Sequence, residues 1–188
     1  GGQIQPLRAI RAVLDAQAKP LQRYDTVAAP AEKGDALAAR LVGLALQEAV
    51  RSGTARGLLA EGLGHLTAAG KTGTSNDGRD SWFAGYTDSY LGVVWVGNDD
   101  NAATGLYGAS GAMRVWAKTF SALPNAPLQL GDEGVEWVWL HPEREARTDA
   151  ACPGARRMAF VAGYAPEDYD GCPLARLRHW LGGDDGRD

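Results

Sequence analysis

The chain has 188 residues, 45% hydrophobic and 22% charged, with a net charge of −4 and a pI near 5.4. That composition is ordinary for a globular protein of one or two compact units. Its acidic balance excludes the broad basic face of a nucleic-acid binder, and no apolar run has the length of a membrane span.

No signal peptide is recognisable, and the start at Gly1-Gly2 without an initiator Met reads either as a cut from a longer polypeptide or as a tag scar. In the first case any anchor lies upstream. Residues 7–15 read as a strand, and Pro20 to Thr26 as its return partner after a turn around Asp15-Ala16-Gln17. Residues 27–34 form a linker of Pro, Ala and Gly. Asp35 is a helix N-cap, because its carboxylate can accept an orphan amide of the first turn. Leu37, Leu41, Leu44, Ala45 and Ala49 follow at helical spacing, and Ser52-Gly53 ends the helix. The Gly-rich stretch from Gly53 to Gly64 is read as a loop.

Three short strands are expected near 65–74, 80–87 and 90–97. Ser75-Asn76-Asp77-Gly78 and Thr87-Asp88-Ser89 link them with hairpin chemistry. Such short links join antiparallel neighbours, since parallel strands need a long crossover. A helix is expected from about Ala109 to Ala122, with Ala109, Met113, Trp116 and Phe120 facing the sheet. Pro124 to Gly134 is a linker, Glu136 to His141 and Arg157 to Val161 are late strands, and residues 182–188 read as disordered. The six tryptophans are expected chiefly in the core.

Two cysteines, Cys152 and Cys172, enclose a loop rich in Pro, Gly and Tyr. They cannot form an all-cysteine zinc site, and His65, His141 and His179 do not stand at ligand spacing from them, so no metal is expected. The pair is either one disulfide, contributing about 3 kcal/mol in the chain-entropy picture, or two free thiols. An oxidising compartment favours the bridge.

Chemistry concentrates in Ala69-Gly70-Lys71-Thr72-Gly73-Thr74-Ser75-Asn76. Acyl transfer needs a nucleophile, a base, oxyanion donors and a grip on the substrate. Lys71 supplies a positive charge, and the hydroxyls of Thr72 and Thr74 can hydrogen-bond a carboxylate. Gly73 has no Cβ, so an extended ligand can lie close along the strand edge. The backbone amide of Thr74 is positioned to serve as one oxyanion donor. Ser75, Ser81 and Ser110 lack a nearby base and read as strand, turn or helix-start residues. Asp80 either braces the site or is a solvated turn carboxylate. Asp99-Asp100-Asn101 lacks the Gly and Glu of a calcium loop.

Lys-Thr-Gly belongs to the motif set of serine β-lactamases and penicillin-binding proteins. Its nucleophilic half, Ser-x-x-Lys with Ser-x-Asn, occurs nowhere between Gly1 and Asp188. Longer runs are more specific: Gly53-Thr54-Ala55-Arg56, Ala69 to Ser75, Ser81-Trp82-Phe83-Ala84-Gly85, Trp95 to Asp99, and Leu106-Tyr107-Gly108-Ala109-Ser110-Gly111-Ala112-Met113. Together, from Pro6 to about Cys172, they resemble the transpeptidase domain of class A penicillin-binding proteins, and the last run with the cysteine-containing tail looks most like the 1b type.

The resemblance implies an α+β fold, an antiparallel sheet packed with helices and a small C-terminal β extension. It divides the chain into the C-terminal part of a transpeptidase domain (1–123), an extension (124–181) and a tail (182–188). It implies a periplasmic portion of an inner-membrane-anchored, bifunctional cell-wall synthase. Upstream, such a synthase has a glycosyltransferase that polymerises lipid II. Its serine acyl-enzyme crosslinks stem peptides and is trapped by β-lactams. Lys71, Thr72, Gly73 and Thr74 are the positions carried over as substrate-binding, with no cofactor for the reaction. A lipoprotein activator is a further implied partner. Without the serine, this chain is expected to be inactive alone, and helices from upstream are expected to cover one sheet face, whose exposure would favour self-association. The competing readings are another serine acyl enzyme (a β-lactamase or D,D-carboxypeptidase) and a non-catalytic peptide- or partner-binding module. Against the first, β-lactamases usually end with the helix after the sheet, whereas this chain runs on to Asp188.

Overall fold

The computed structural model describes residues 2–4, 9–24 and 32–173. Two small antiparallel pairs open the chain: β1 (Gln3–Ile4) with β4 (Glu32–Lys33), and β2 (Ala12–Leu14) with β3 (Pro20–Arg23). The strand expected over 7–15 is thus shorter; its first two residues, residues 27–31 of the expected 27–34 linker, the 182–188 tail and His179 lie outside the described residues, and the end of that linker is strand β4.

Helix α1 (Ala36–Arg51) begins where Asp35 accepts the Ala38 amide at 2.9 Å, and closes with the Ser52 amide on the Glu48 carbonyl. Its buried residues are Gly43 and Val50, while Leu37, Leu41, Leu44 and Ala49 are half-buried and Ala45 is exposed. The expected stripe is split because α1 packs on the Lys-Thr-Gly strand and on the C-terminal hairpin at once. Gly43 permits this: a Cβ there would lie 2.9 Å from Leu130 and 3.3 Å from the Tyr86 hydroxyl.

The stretch read as a Gly-rich loop contains α2 (Gly57–Ala60) and a turn of 3-10 helix at Gly64–Leu66. Ala55, Leu58, Leu63 and Leu66 drop from it into the core. Its apolar residues are spaced to face inward, and the glycines obscured that in the sequence. Thr67, at φ 46°, turns the chain into the sheet.

The sheet is a three-stranded antiparallel meander of β5 (Ala69–Thr74), β6 (Ser81–Tyr86) and β7 (Leu91–Val96), as the short links required. In-register pairing aligns Gly70, Gly85 and Gly92 in one row across all three strands. Helix α3 (Ala112–Ser121) lies against that row. Phe83 meets Trp116 edge-on at 5.3 Å between centroids, and Trp116 stacks on Phe120 at 3.6 Å. A Cβ on any of the three glycines would fall 2.7 Å from the Phe83 or Phe120 ring. The missing side chains are therefore what admits the aromatics.

Beyond α3, β8 (Val135–Leu140) and β9 (Arg156–Val161) form an antiparallel hairpin. Arg147 ties it to the following loop through Glu136 at 2.6 Å and backbone bonds with Asp168 and Asp170. The tryptophans do not all enter the core. Trp116 is fully buried, Trp137 and Trp139 are half-buried, and Trp82 and Trp95 are 43% and 46% exposed.

Candidate functional site

Strand β5 is an edge strand, pairing only with β6 among the described residues. Ser75 donates its amide to the Asp80 carbonyl at 3.1 Å, which makes that pair a hydrogen-bonded rung. Antiparallel alternation then turns the backbone N–H and C=O groups of Thr74 and Thr72 toward the open edge. The Thr72 carbonyl confirms the direction, because it accepts the Lys71 ammonium at 2.7 Å.

Side chains alternate as well. Lys71 and Gly73 share one face, and Thr72 and Thr74 share the face toward α3. Lys71 is exposed, and among the described residues no carboxylate lies within ion-pair distance of it. The Lys71 ammonium also reaches the Thr72 hydroxyl at 3.3 Å, and that hydroxyl donates to Thr54 Oγ1 at 2.9 Å. Thr74 Oγ1 accepts the amide of Gly108 at 3.0 Å. An uncompensated cation, two threonine hydroxyls and outward amides are therefore set along one strand edge, an arrangement suited to an extended ligand ending in a carboxylate.

The segment 104–111 closes over the far end of β5. Thr104 donates both its amide and hydroxyl to the Gly78 carbonyl. Gly108 passes so near the sheet that a Cβ would lie 2.7 Å from the Trp82 carbonyl oxygen and 2.8 Å from that of Gly73. Helix α3 starts at Gly111, which has no side chain to cap it; Ser81, fully buried on β6, supplies the cap instead. Its hydroxyl accepts the Ala112 amide at 2.9 Å and donates to the Tyr107 carbonyl at 2.9 Å. Ser110 sits in the preceding turn, where its hydroxyl accepts the Tyr107 amide.

No family profile matches the chain. Among characterised proteins it is 43% identical to penicillin-binding protein 1B of Vibrio cholerae over 158 residues, covering 84% of this chain and 20% of that protein. It is 38% identical to penicillin-binding protein 1B of Escherichia coli (73% of this chain, 17% of that one). To penicillin-binding protein 1A of Pseudomonas aeruginosa it is 36% identical (77% and 19%). The crystal structure of penicillin-binding protein 1A from Haemophilus influenzae shares the fold, with a TM-score of 0.60 at 20% identity over 90% of this chain and 31% of that one. The chain belongs to the class A penicillin-binding protein family. It spans about a fifth of the length of the curated relatives it matches.

In this penicillin-binding protein segment the remaining expected residues are structural. The Asp80 carboxylate accepts the Trp95 indole N–H at 2.8 Å, and its amide binds Ser75 Oγ at 2.8 Å. Hydrogen bonds from Trp95 and then Ser75 hold the Asp80 carboxyl below its usual range. Asp80 thus braces the turn that follows the motif. Asp77, at φ 62°, makes that turn with Gly78. Among the described residues His65 and His141 bond to nearby backbone, and Asp100 accepts the Ala102 amide within its own turn. No cluster of metal-ligating side chains occurs among the described residues. Cys152 and Cys172 are joined in a disulfide with Cα atoms 5.6 Å apart.

Sequence reasoning had not given functional weight to Thr54, Gly108 or Ser81. The signal for the last two was the small-residue run from Gly108 to Ala112, which only a close crossing requires.

Proposed function

We propose that this chain is the substrate-holding wall of a peptidoglycan D,D-transpeptidase, part of a bifunctional synthase working on the periplasmic side of the inner membrane. The observation that carries the reading is the Lys71–Thr74 strand edge, with an ammonium that has no carboxylate partner among the described residues and the amides of Thr72 and Thr74 turned outward. An incoming D-Ala-D-Ala stem lies along β5 with its carboxylate near Lys71 and the threonine hydroxyls. Its scissile carbonyl oxygen receives the Thr74 amide as one of two oxyanion donors. A serine from outside this chain attacks that carbonyl. Its O–C bond forms, the peptide C–N bond breaks, and the leaving D-Ala nitrogen takes a proton. An acceptor amine then attacks the ester, forming the crosslink and releasing the serine. A β-lactam follows the first step and stays attached.

On this reading residues 1–123 belong to the transpeptidase domain and 124–181 to an extension. The chain alone neither crosslinks peptides nor holds a β-lactam, and the reaction needs no cofactor. The absence of Ser-x-x-Lys from the sequence supports this. The test is Lys71→Ala in the full-length protein, followed with a fluorescent penicillin. Loss of one charge-assisted contact should slow acylation at least about tenfold. Acylation at the parental rate would exclude the assignment of β5.

A further inference from the structure

The motif presents Thr72 and Thr74 as equivalent hydroxyls, but their hydrogen bonds make them opposites. Thr74 Oγ1 has an acceptor position filled by the Gly108 amide, so its own proton remains free to donate. Thr72 Oγ1 accepts from the Lys71 ammonium and shares a 2.9 Å hydrogen bond with Thr54 Oγ1, into which it gives its proton when Thr54 turns its own O–H outward to a ligand. A hydroxyl has a single proton, so Thr72 in this state has none for an anion. Thr54 stands at the end of the chain. In that state its oxygen receives the Thr72 proton, its own O–H has no other partner among the described residues, and the residue is exposed. The three groups are oriented head to tail from the ammonium outward, so each bond polarises the next and the terminal O–H is the strengthened donor.

Thr54 also opens on a groove of about 720 Å³ whose walls include Arg56, just before α2, Arg114 of α3 and Glu61, with Ala109 and Met113. An anionic group arriving there meets the terminal hydroxyl beside two guanidinium groups and one carboxylate, a net positive charge.

We infer that Thr54, from the loop after α1, is a substrate-binding residue that donates to the terminal carboxylate of the stem peptide or β-lactam, and that Thr72 is the internal relay connecting it to Lys71. This rests on the transpeptidase reading and adds a residue to it from outside the Lys-Thr-Gly strand.

The experiment uses the full-length protein as wild type, Thr54→Val, Thr54→Ser and Thr72→Val, with a fluorescent penicillin and its methyl ester as probes. Thr54→Val is expected to lower the second-order acylation rate for the free acid about tenfold. The loss should appear in the concentration for half-maximal labelling and not in the limiting rate. Thr54→Ser should return within about twofold, since it keeps the O–H. Thr72→Val, which breaks the relay, should resemble Thr54→Val. The methyl ester, lacking the charge, should react slowly and at the same rate with wild type and Thr54→Val.

Unchanged labelling of Thr54→Val, an equal loss for acid and ester, or failure of serine to restore the rate would each overturn the assignment. Wild type that takes no label at all would remove the transpeptidase reading and Thr54 with it. Wild type that labels normally beside an indifferent Thr54→Val would remove Thr54 alone.

Discussion

The two faces of the β5–β6–β7 sheet are made by alternate residues of the same strands, yet one is closed and the other open. Toward α3, the row of Gly70, Gly85 and Gly92 receives Phe83, Trp116 and Phe120, and Ser81 fastens the helix to the sheet. On the opposite face Trp82, Val93 and Trp95 are 43%, 58% and 46% exposed, and Lys71 stands beside them. The contrast separates support from recognition. The packed centre of the first face holds β5 in place. Toward the strand end that packing gives out, leaving Thr72 half-buried and Thr74 exposed, so that the edge, its hydroxyls and its lysine remain available.

Breaking the closed face should have the largest effect. Trp116→Ala removes the ring between Phe83 and Phe120 and should cost about 3–5 kcal/mol in chemical denaturation. Val93→Thr on the open face should stay within about 0.5 kcal/mol. If the two substitutions cost the same, the faces are not different in the way described. Gly85→Ala is next. Its methyl would meet Phe83 and Trp116 at 2.7 and 3.2 Å, and overpacking of this kind costs about 1–3 kcal/mol. A neutral or stabilising alanine would show that the rings can retreat.

The smallest effect concerns the Asp80 brace and sharpens the comparison at its rim. Its carboxyl is held low in the folded chain by Trp95 and Ser75. A depressed folded value contributes stability above the unfolded value, and that contribution is lost as pH falls through the folded value. Stability should therefore decline in acid, and Trp95→Phe should flatten that decline by lowering stability at neutral pH while leaving it nearly unchanged in strong acid. Denaturation curves measured from neutral to strongly acid pH decide it; identical acid slopes would dismiss the brace.

The meander, α1 with its Asp35 cap, α3 and the two late strands, though not their pairing, were legible in the sequence, because short polar links and helical spacing are local signals. What was not legible depends on residues far apart in the chain. The inward-facing Leu58, Leu63 and Leu66 were hidden by surrounding glycines. The cap of α3 came from Ser81, thirty-one positions before the amide it satisfies. The exposure of Trp82 and Trp95 follows from sheet register, which composition does not encode. At the site, Lys71 to Thr74 could be picked out from the motif. The link from Thr72 to Thr54 joins positions eighteen apart through a helix end that no local pattern connects.

The central claim is that this chain holds the substrate while the attacking serine lies elsewhere. Its most direct test is a fluorescent penicillin with mass-spectrometric mapping of the adduct, on this chain alone and on the full-length protein. The account predicts no adduct on the chain alone and, in the full-length protein, one adduct on a serine outside residues 1–188. A stable adduct on any serine within residues 1–188 would contradict it.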